Sequence, residues 1–164
     1  MEILKVLNEE NVSEKEALLL RQRIAVRAIV TDVDKNKIAI IWAKNNDYYE
    51  LPGGGVEENE TPEVAVVREC KEETGCEVVI IKPIGRILEL RKKDEIQNDS
   101  YAYFVKVISK GLATLTEKEI REGKETIWVT PDDAKRFILS SDVSKNFYDK
   151  YVRERDLSIL NAVY

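Results

Sequence analysis

Histidine is absent from all 164 residues of the sequence. It is the commonest general base at neutral pH and the commonest transition-metal ligand in proteins. Its absence excludes a histidine-based catalytic triad and any metal site built on imidazole. Acid–base or metal chemistry in this chain must therefore depend mainly on carboxylates.

Cysteine is scarce, since Cys70 and Cys76 are the only two. They provide no zinc-ligand pattern and fit a reducing compartment, so we expect a cytoplasmic protein. No apolar run approaches the ~18 residues of a membrane span. The acidic residues 1–16 are unlike a signal peptide. We therefore expect neither a membrane anchor nor a secreted protein.

An excess of positive charge is also lacking. The net charge is -5, with acidic and basic residues interspersed, so duplex DNA is not an expected partner. No Pro-, Gly- or Ser-rich linker divides the chain, and its length suits one domain over residues 1–164. A homodimer is compatible with this composition.

The order of elements predicts a mixed α/β domain. Residues 13–22 are typical of a short amphipathic helix capped by Ser13, within an N-terminal extension of residues 1–22. Helices are also predicted at 62–74, 131–139 and across much of 144–162. β-Branched segments predict strands at 23–33, 38–43, 77–91, 100–109 and 126–129, with a turn at 34–37 and a polar loop at 92–99. Segment 116–125 is charged and loop-like, with room for one helical turn.

The predicted helix at 62–74 concentrates carboxylates on one side. At ~100° per residue, Glu69, Glu72 and Glu73 share an arc of about 100° beside the apolar stripe. Like charges three and four residues apart repel on a helix. Arg68 can neutralise one carboxylate but not three, whereas a hard divalent cation bound through oxygens would neutralise the set.

Three consecutive glycines, Gly53, Gly54 and Gly55, precede this helix. A tight turn would explain one or two of them, and a glutamate-rich helix alone is more often a solvated surface than a metal site. Together, bare backbone that permits positive φ and an acidic helix favour a loop that approaches a polyanion beside its counter-cations.

Both features belong to one spaced pattern that resembles a complete Nudix box. Its fixed positions are Gly54, Glu60, Arg68, Glu69, Glu72, Glu73 and Gly75, with cysteines at two apolar positions. Outside the box, AVRAIV (25–30), WVTPDDA (128–134) and RERDLSIL (153–160) also resemble MutT-type Nudix hydrolases.

The resemblance implies an α/β/α sandwich with a mixed sheet and a central box helix. It implies hydrolysis of a nucleoside diphosphate linked to another moiety, with Mg²⁺ or Mn²⁺ as cofactor. The implied metal ligands are Glu69, Glu72 and Glu73, with the carbonyl of Gly53 or Gly54 as a backbone ligand. Arg68 is implied to hold Glu69 or Glu60 in place. Support of the loop and box is assigned to Gly53, Gly55, Glu57, Glu60 and Gly75.

The general base stays open between the box and the later acidic segment. Glu72 or Glu73 could serve. Segment 116–125 resembles the loop from which many relatives supply a further glutamate, and Glu119 and Glu122 are the preferred pair there over Glu117 and Glu125. The alternative is that this segment is only solvated charge.

Substrate-binding candidates are aromatic and cationic side chains on strands. The aromatic residues that could stack on a base are Trp42, Tyr48, Tyr49, Trp128 and the pair Tyr101 and Tyr103, which share one strand face, although strand aromatics are more often core. Arg27 projects from an otherwise apolar strand, so its side chain either faces a cleft, where it could meet a phosphate, or is paired with an acidic residue. The downstream proline of the ADP-ribose subclass is not found, since Pro83 follows the box too soon. The extended upstream motif of the coenzyme A subclass is not found either. The expected substrate is therefore a small-molecule nucleotide, by default a nucleoside triphosphate or modified dNTP.

Two other functions stay open. One is a nucleotide-sensing module without turnover, which the complete box disfavours because a pure binder need not keep every ligand. The other is a pyrophosphohydrolase acting on RNA 5′ ends, which the acidic charge disfavours because RNA binding relies on Lys and Arg.

Overall fold

A seven-stranded mixed sheet forms the centre of the structure. The structure is a computed structural model that describes residues 1–32, 36–144 and 148–164. Its strands are β1 (Ile3–Leu7), β2 (Arg21–Thr31), β3 (Ile38–Ala43), β4 (Tyr48–Glu50), β5 (Cys76–Arg91), β6 (Ile96–Lys110) and β7 (Lys124–Val129). Their order is β1-β5-β6-β2-β3-β4, and β7 pairs with β3. The pairs β1–β5 and β2–β6 are parallel, and the other pairs are antiparallel.

Five helices accompany the sheet within the described residues, with a short 3-10 turn at Lys44–Asn46 between β3 and β4. They are α1 (Glu14–Ala17), α2 (Pro62–Thr74), α3 (Glu117–Glu122), α4 (Pro131–Ser140) and α5 (Asp149–Asn161). None of these helices has the length and apolarity needed to cross a membrane.

The side chains of β2 point alternately to the two faces of the sheet, and helices cover both faces. Val26 and Ala28 pack into a core with Val66 of α2. Ile29, one residue further on, faces the other way and packs into a second core with α4 and α5, which includes Ile138. Successive strand residues point to opposite faces, so one apolar strand serves both cores. The predicted α/β/α sandwich is confirmed.

The box helix α2 begins and ends where the sequence predicts. The Thr61 hydroxyl caps it by accepting a hydrogen bond from the N–H of Val64 (3.4 Å), and Pro62 occupies the first helical position. Gly75 ends it in the left-handed region at φ 69° and donates to the carbonyl of Lys71 (3.0 Å). Capping, proline and glycine thus fix both ends locally.

Within the predicted N-terminal extension of 1–22, the elements differ from the prediction of a single helix at 13–22. β1 joins the sheet as a parallel partner of β5, α1 ends at Ala17, and β2 already begins at Arg21. β1 could not be predicted because only Leu7 of its five residues is buried, which leaves no alternating pattern.

Later boundaries also differ from prediction. α3 is a six-residue helix in the segment predicted to be loop-like, and β6 begins at Ile96 inside the predicted polar loop. The last helix begins at Asp149 rather than near 144. The predicted turn at 34–37, the end of the first predicted strand and the start of the last predicted helix lie partly outside the described residues.

Candidate active site

The glycine loop lies against β2 through backbone hydrogen bonds. The N–H of Val26 donates to the carbonyl of Gly54, and the N–H of Ala28 donates to the carbonyl of Pro52, both at 2.9 Å. Gly53, between these two carbonyls, has φ 143°, and a Cβ there would lie 2.9 Å from the carbonyl carbon of Val26. Only glycine allows so close an approach.

Glu73 of α2 reaches across to this loop. Its Oε2 accepts a hydrogen bond from the N–H of Gly53 (2.7 Å), and its side chain is 3% exposed. The ammonium group of Lys124, at the start of β7, lies 3.3 Å from Glu73 Oε1, 2.9 Å from Glu50 Oε1 and 3.7 Å from Glu119 Oε1. One buried cation thus serves three carboxylates.

The two most buried of these carboxylates respond differently to the shared cation. Burial raises the pKa of Glu73 to about 8, although Lys124 favours its ionised form. Burial also opposes ionisation of Glu50, but attraction to Lys124, Arg27 and Arg155 outweighs it and holds the pKa of Glu50 below its usual value. Lys124 therefore favours the ionised form of both carboxylates, but burial still raises the pKa of Glu73.

Arg68 organises the remaining box carboxylates. Its Nε and Nη2 form a two-pronged ion pair with Glu60, each at 2.9 Å, and Nη2 also donates to the carbonyl of Gly55 (3.0 Å). Nη1 donates to both Glu69 (2.8 Å) and Glu72 (3.0 Å). The guanidinium therefore links the loop to two of the predicted metal ligands, the positioning role predicted for it.

Glu60 and Glu57 close the loop in front of α2. Glu60 Oε2 accepts a hydrogen bond from the N–H of Glu57 (3.0 Å), and the Arg68 hydrogen bonds hold the pKa of Glu60 below its usual value. Glu57 contributes its backbone to this turn.

The oxygen atoms of the box suit a hard divalent cation. Glu69 and Glu72 converge on the same Arg68 nitrogen, and Glu72 is 44% exposed. Gly54 leaves room for Glu69, because a Cβ at residue 54 would lie 2.6 Å from the carboxyl carbon. As the side chains stand, no group of three His, Cys, Asp or Glu residues converges on one point within the described part of the chain. Arg68 and Lys124 hold the three box carboxylates in two separate sets.

The two candidate carbonyl ligands differ in their hydrogen bonding. The carbonyl of Gly54 accepts from Val26. The carbonyl of Gly53 accepts no hydrogen bond from the described residues. Of the two carbonyls, that of Gly53 is therefore the better candidate for a backbone ligand.

Helix α3 brings one late glutamate to the box. Glu119 caps the helix start, where its Oε2 accepts from the N–H and hydroxyl of Thr116, each at 2.8 Å. Burial acts against ionisation of Glu119, but these hydrogen bonds, Lys124 and a contact with the Glu73 carboxyl lower its pKa. The structure therefore brings Glu119 beside Glu73.

The other three late glutamates lie elsewhere. Glu122 lines the main cleft. Glu117 and Glu125 are exposed, and they pair with Arg121 and Lys44. This arrangement agrees with the preference for Glu119 and Glu122.

The main cleft has a volume of ≈ 560 Å³ and adjoins the box at Gly53 and Gly54. Arg27 lines it from β2, as one of the two alternatives for this side chain predicted. Other lining residues that bear on its chemistry are Arg23, Tyr48, Glu50, Lys118, Glu122 and Lys124.

Three of the four candidate tyrosines, Tyr49, Tyr101 and Tyr103, lie outside this cleft. Tyr49 packs between Trp42 and Phe137, with ring centroids 5.9 and 5.1 Å away. It is the preceding residue, Tyr48, that lines the cleft, because the strand pleat turns neighbouring side chains to opposite faces.

Tyr101 and Tyr103 share one face of β6, as predicted, but it is the α2 face of the sheet. The Tyr103 hydroxyl donates to Glu63 (2.8 Å), and both rings line a second cavity of ≈ 350 Å³. The pair therefore lies across the sheet from Arg27.

Lys124, Glu50 and Arg23 were missed as site residues. Glu50 could have been found, because it lies on the same face of its strand as Tyr48 and only three residues before Gly53. No local sequence pattern marks Lys124 as a site residue. It reaches the site because β7 pairs with the distant strand β3, with Lys124 opposite Ala43.

Comparison with known proteins identifies the family. The NUDIX domain model matches residues 21–151, and the chain belongs to this family. The MutT protein from Methanosarcina mazei has a similar fold, with a TM-score of 0.54 and 19% identity over 84% of this chain and 94% of that chain. The resemblance of the glycine loop and acidic helix to a Nudix box is thereby confirmed.

The names of three similar proteins give three different substrates. An ADP-ribose pyrophosphatase from Methanocaldococcus jannaschii is 45% identical over 74 residues, which are 43% of this chain and 42% of the relative. An RNA pyrophosphohydrolase from Hydrogenovibrio crunogenus is 47% identical over 49 residues, which are 29% of this chain and 30% of the relative. A putative 8-oxo-dGTP diphosphatase from Bacillus subtilis is 24% identical over 79% of this chain and 86% of the relative. The chain thus matches less than half the length of the first two.

Proposed function

We propose that this protein hydrolyses a pyrophosphate bond in a nucleoside diphosphate derivative with the help of a divalent metal ion. The observation that carries the proposal is the organisation of the box: Arg68 gathers Glu69 and Glu72, while Glu73 is held at the glycine loop by Gly53. The three relatives are named as a pyrophosphatase, a pyrophosphohydrolase and a putative diphosphatase, and all three names describe cleavage of a pyrophosphate linkage.

The residues have distinct parts in this reaction. Glu69, Glu72 and Glu73, with the Gly53 carbonyl, would hold Mg²⁺ or Mn²⁺, which prefer oxygen ligands. A bound ion would neutralise phosphate charge and lower the pKa of a water molecule. Arg68 keeps the carboxylates oriented through Glu60, and Lys124 limits the repulsion between Glu73 and Glu50.

Proton removal from the attacking water needs a carboxylate near the box. Glu119 is the favoured base, because it lies beside Glu73 and its lowered pKa keeps it ionised. Glu122 at the cleft wall is the second choice. Glu72 and Glu73 are the alternatives within the box.

The favoured substrate is a nucleoside triphosphate or a modified dNTP. The B. subtilis relative, a putative 8-oxo-dGTP diphosphatase, is matched over most of both chains and supports this choice. The match to the RNA pyrophosphohydrolase keeps RNA 5′ ends as a second candidate.

The test is a panel of nucleoside triphosphates, nucleoside diphosphate sugars and 5′-triphosphorylated RNA, with Mg²⁺ or Mn²⁺, read by release of phosphate or pyrophosphate. We expect turnover of a free nucleotide and complete loss of activity after chelation. Binding of nucleotides without any turnover would instead identify a sensing module, and turnover of RNA alone would identify the second candidate.

A further inference from the structure

Arg27 is a buried cation without a counter-ion. It is 6% exposed, and its only hydrogen bond with the described residues is from Nη1 to the carbonyl of Val26 (2.6 Å). Its Nε is buried and has no partner. No carboxylate in the described part of the chain lies within ion-pair distance, although Asp156, Glu50 and Glu73 are near enough to attract it. A buried guanidinium in this state is costly unless a ligand supplies the missing charge.

Another buried arginine, Arg155, does have carboxylate partners. Arg155 is 1% exposed, and its Nε donates to Asp156 (2.7 Å). Its Nη1 lies 3.9 Å from Glu89. Arg27 has no equivalent pair, and repulsion from Arg155 adds to burial in lowering its pKa. The difference between the two arginines favours a ligand-binding role for Arg27 over a purely structural one.

Arg27 lines the same cleft as Gly53 and Gly54 of the box. Gly53, whose N–H holds Glu73, lies directly over β2, and a Cβ at residue 53 would be 3.0 Å from the Cα of Arg27. Arg23 is four residues away on the same face of β2 and lines the same cleft, where its Nη1 is oriented by Asn98 (2.6 Å). The buried hydroxyl of Tyr48, also on the cleft wall, has no partner either.

Resting on the proposed function, we infer that Arg27, assisted by Arg23, binds a phosphate group that lies beyond the scissile linkage, and that this contact selects nucleoside triphosphates over nucleoside diphosphate sugars. Both phosphates of a diphosphate sugar belong to the linkage that is cleaved. A triphosphate carries one more, which matches the forked donors of arginine. Addition of water at the α-phosphorus and cleavage of its bond to the bridging oxygen gives a nucleoside monophosphate and pyrophosphate, which retains the bound group.

The first test measures binding of inorganic pyrophosphate by calorimetry in Mg²⁺ buffer, which does not depend on turnover. Arg27→Met should weaken binding by roughly 10- to 100-fold, the range for a hydrogen bond to a charged group. Arg27→Lys should recover part of it. The control is Arg136→Gln, because Arg136 is exposed on α4 and pairs only with Asp133 among the described residues. Unchanged affinity in Arg27→Met would overturn the inference.

The second test compares kcat/KM for a nucleoside triphosphate with that for a nucleoside diphosphate sugar. We expect Arg27→Met to lower the first by roughly 10- to 100-fold and the second by less than about threefold. The thermal midpoint of the ligand-free variant should stay the same or rise, because an unpaired buried charge is removed.

Equal losses on both substrates, or a preference of the unmodified protein for the sugar, would overturn the inference and leave pyrophosphate-bond hydrolysis standing. Absence of all turnover would contradict the proposed function, and pyrophosphate binding would still test Arg27.

Discussion

Glu73 differs from the other two box glutamates in its surroundings. It is buried between Gly53 and Lys124, whereas Glu72 is partly exposed. If Glu73 binds the metal ion as proposed, this buried carboxylate should affect the transition state more strongly than an exposed one. Among the box glutamates, we therefore expect substitution of Glu73 to have the largest effect on the reaction.

Glu73→Gln should lower kcat by at least ~100-fold, which corresponds to ~3 kcal/mol of transition-state stabilisation. The amide keeps the size of the side chain, so the circular dichroism spectrum should be unchanged. Glu77→Gln is the matched control, because Glu77 lies just beyond the box and is exposed. A near-normal kcat in Glu73→Gln would remove its assigned role.

Gly54→Ala should disturb the site without breaking the fold. The new Cβ would meet the end of the flexible Glu69 side chain rather than backbone, so the carboxylate must rotate away. We expect kcat to fall by ~10- to 100-fold, as for other losses of ligand orientation. Gly55→Ala should be milder, because its Cβ would lie 3.4 Å from the nearest atom, in the Arg23 side chain. Steady-state kinetics on both variants, with thermal melts, tests this difference, and equal losses would contradict it.

Individual residues were predictable to different degrees. The fixed positions of the box were predictable because helical spacing and a glycine loop are local features of the sequence. Arg27 was noticed as a charge in an apolar strand, but its missing counter-ion depends on distant residues. Tyr49 was misplaced because a one-residue shift along a strand reverses the face of the sheet.

At the scale of elements, α3 connects the late glutamates to the box. Its capping box at Thr116 fixes Glu119 by a local interaction. Pairing of β7 with β3 then carries Lys124 to Glu73. The sequence indicated the acidic segment and the preferred pair, and long-range strand pairing decided which side chain meets the box.

Glu119→Gln should lower kcat by ~10- to 100-fold, with little change in Mg²⁺ or substrate affinity, if it acts as a base in the transition state. Glu122→Gln should have a smaller effect. Glu117→Gln and Glu125→Gln are the matched controls, because both side chains point to solvent. If all four variants keep kcat within a fewfold, the base lies in the box.

Helix α5 supports the glycine loop from the other side of the sheet. The buried Asp156 accepts a hydrogen bond from the N–H of Leu51 (2.8 Å) and pairs with Arg155. Asp156→Leu should cost ~3–5 kcal/mol of stability, because it leaves Arg155 buried without this partner. The double variant Arg155→Met/Asp156→Leu should recover part of this loss. Urea unfolding of both proteins measures it, and a double variant that is less stable than the single one would contradict the argument.

Elements with strong local signals were predictable, and those defined by distant partners were not. The caps at Thr61 and Gly75 gave both ends of α2. β1 has no alternating pattern and exists because its backbone pairs with β5, more than 80 residues away in the register Ile3↔Arg86. Parallel pairing of this kind leaves little trace in a short, mostly exposed segment.

At the scale of the whole molecule, proton binding and metal binding should be linked through Glu73. Its pKa is raised by burial to about 8 from an ordinary value of 4.5, so the folded state holds a proton that the unfolded chain has released. The stability associated with this proton is fully present below the ordinary pKa and is lost as the pH rises to about 8. Burial also raises the pKa of Glu69.

A divalent cation must displace this proton, so its stabilising effect should grow as the pH approaches about 8. The rise in thermal midpoint on adding Mg²⁺ should therefore be small near the ordinary pKa of a glutamate and should level off above the raised pKa of Glu73. Glu73→Gln cannot ionise at this position, so its Mg²⁺-dependent shift should be smaller and should change less with pH, through Glu69. Thermal melts of both proteins across this pH range, with Mg²⁺ and with chelator, measure the effect. A shift in the unmodified protein that does not change with pH would mean that Glu73 releases no proton to the metal, and that the ion is held by Glu69 and Glu72 alone.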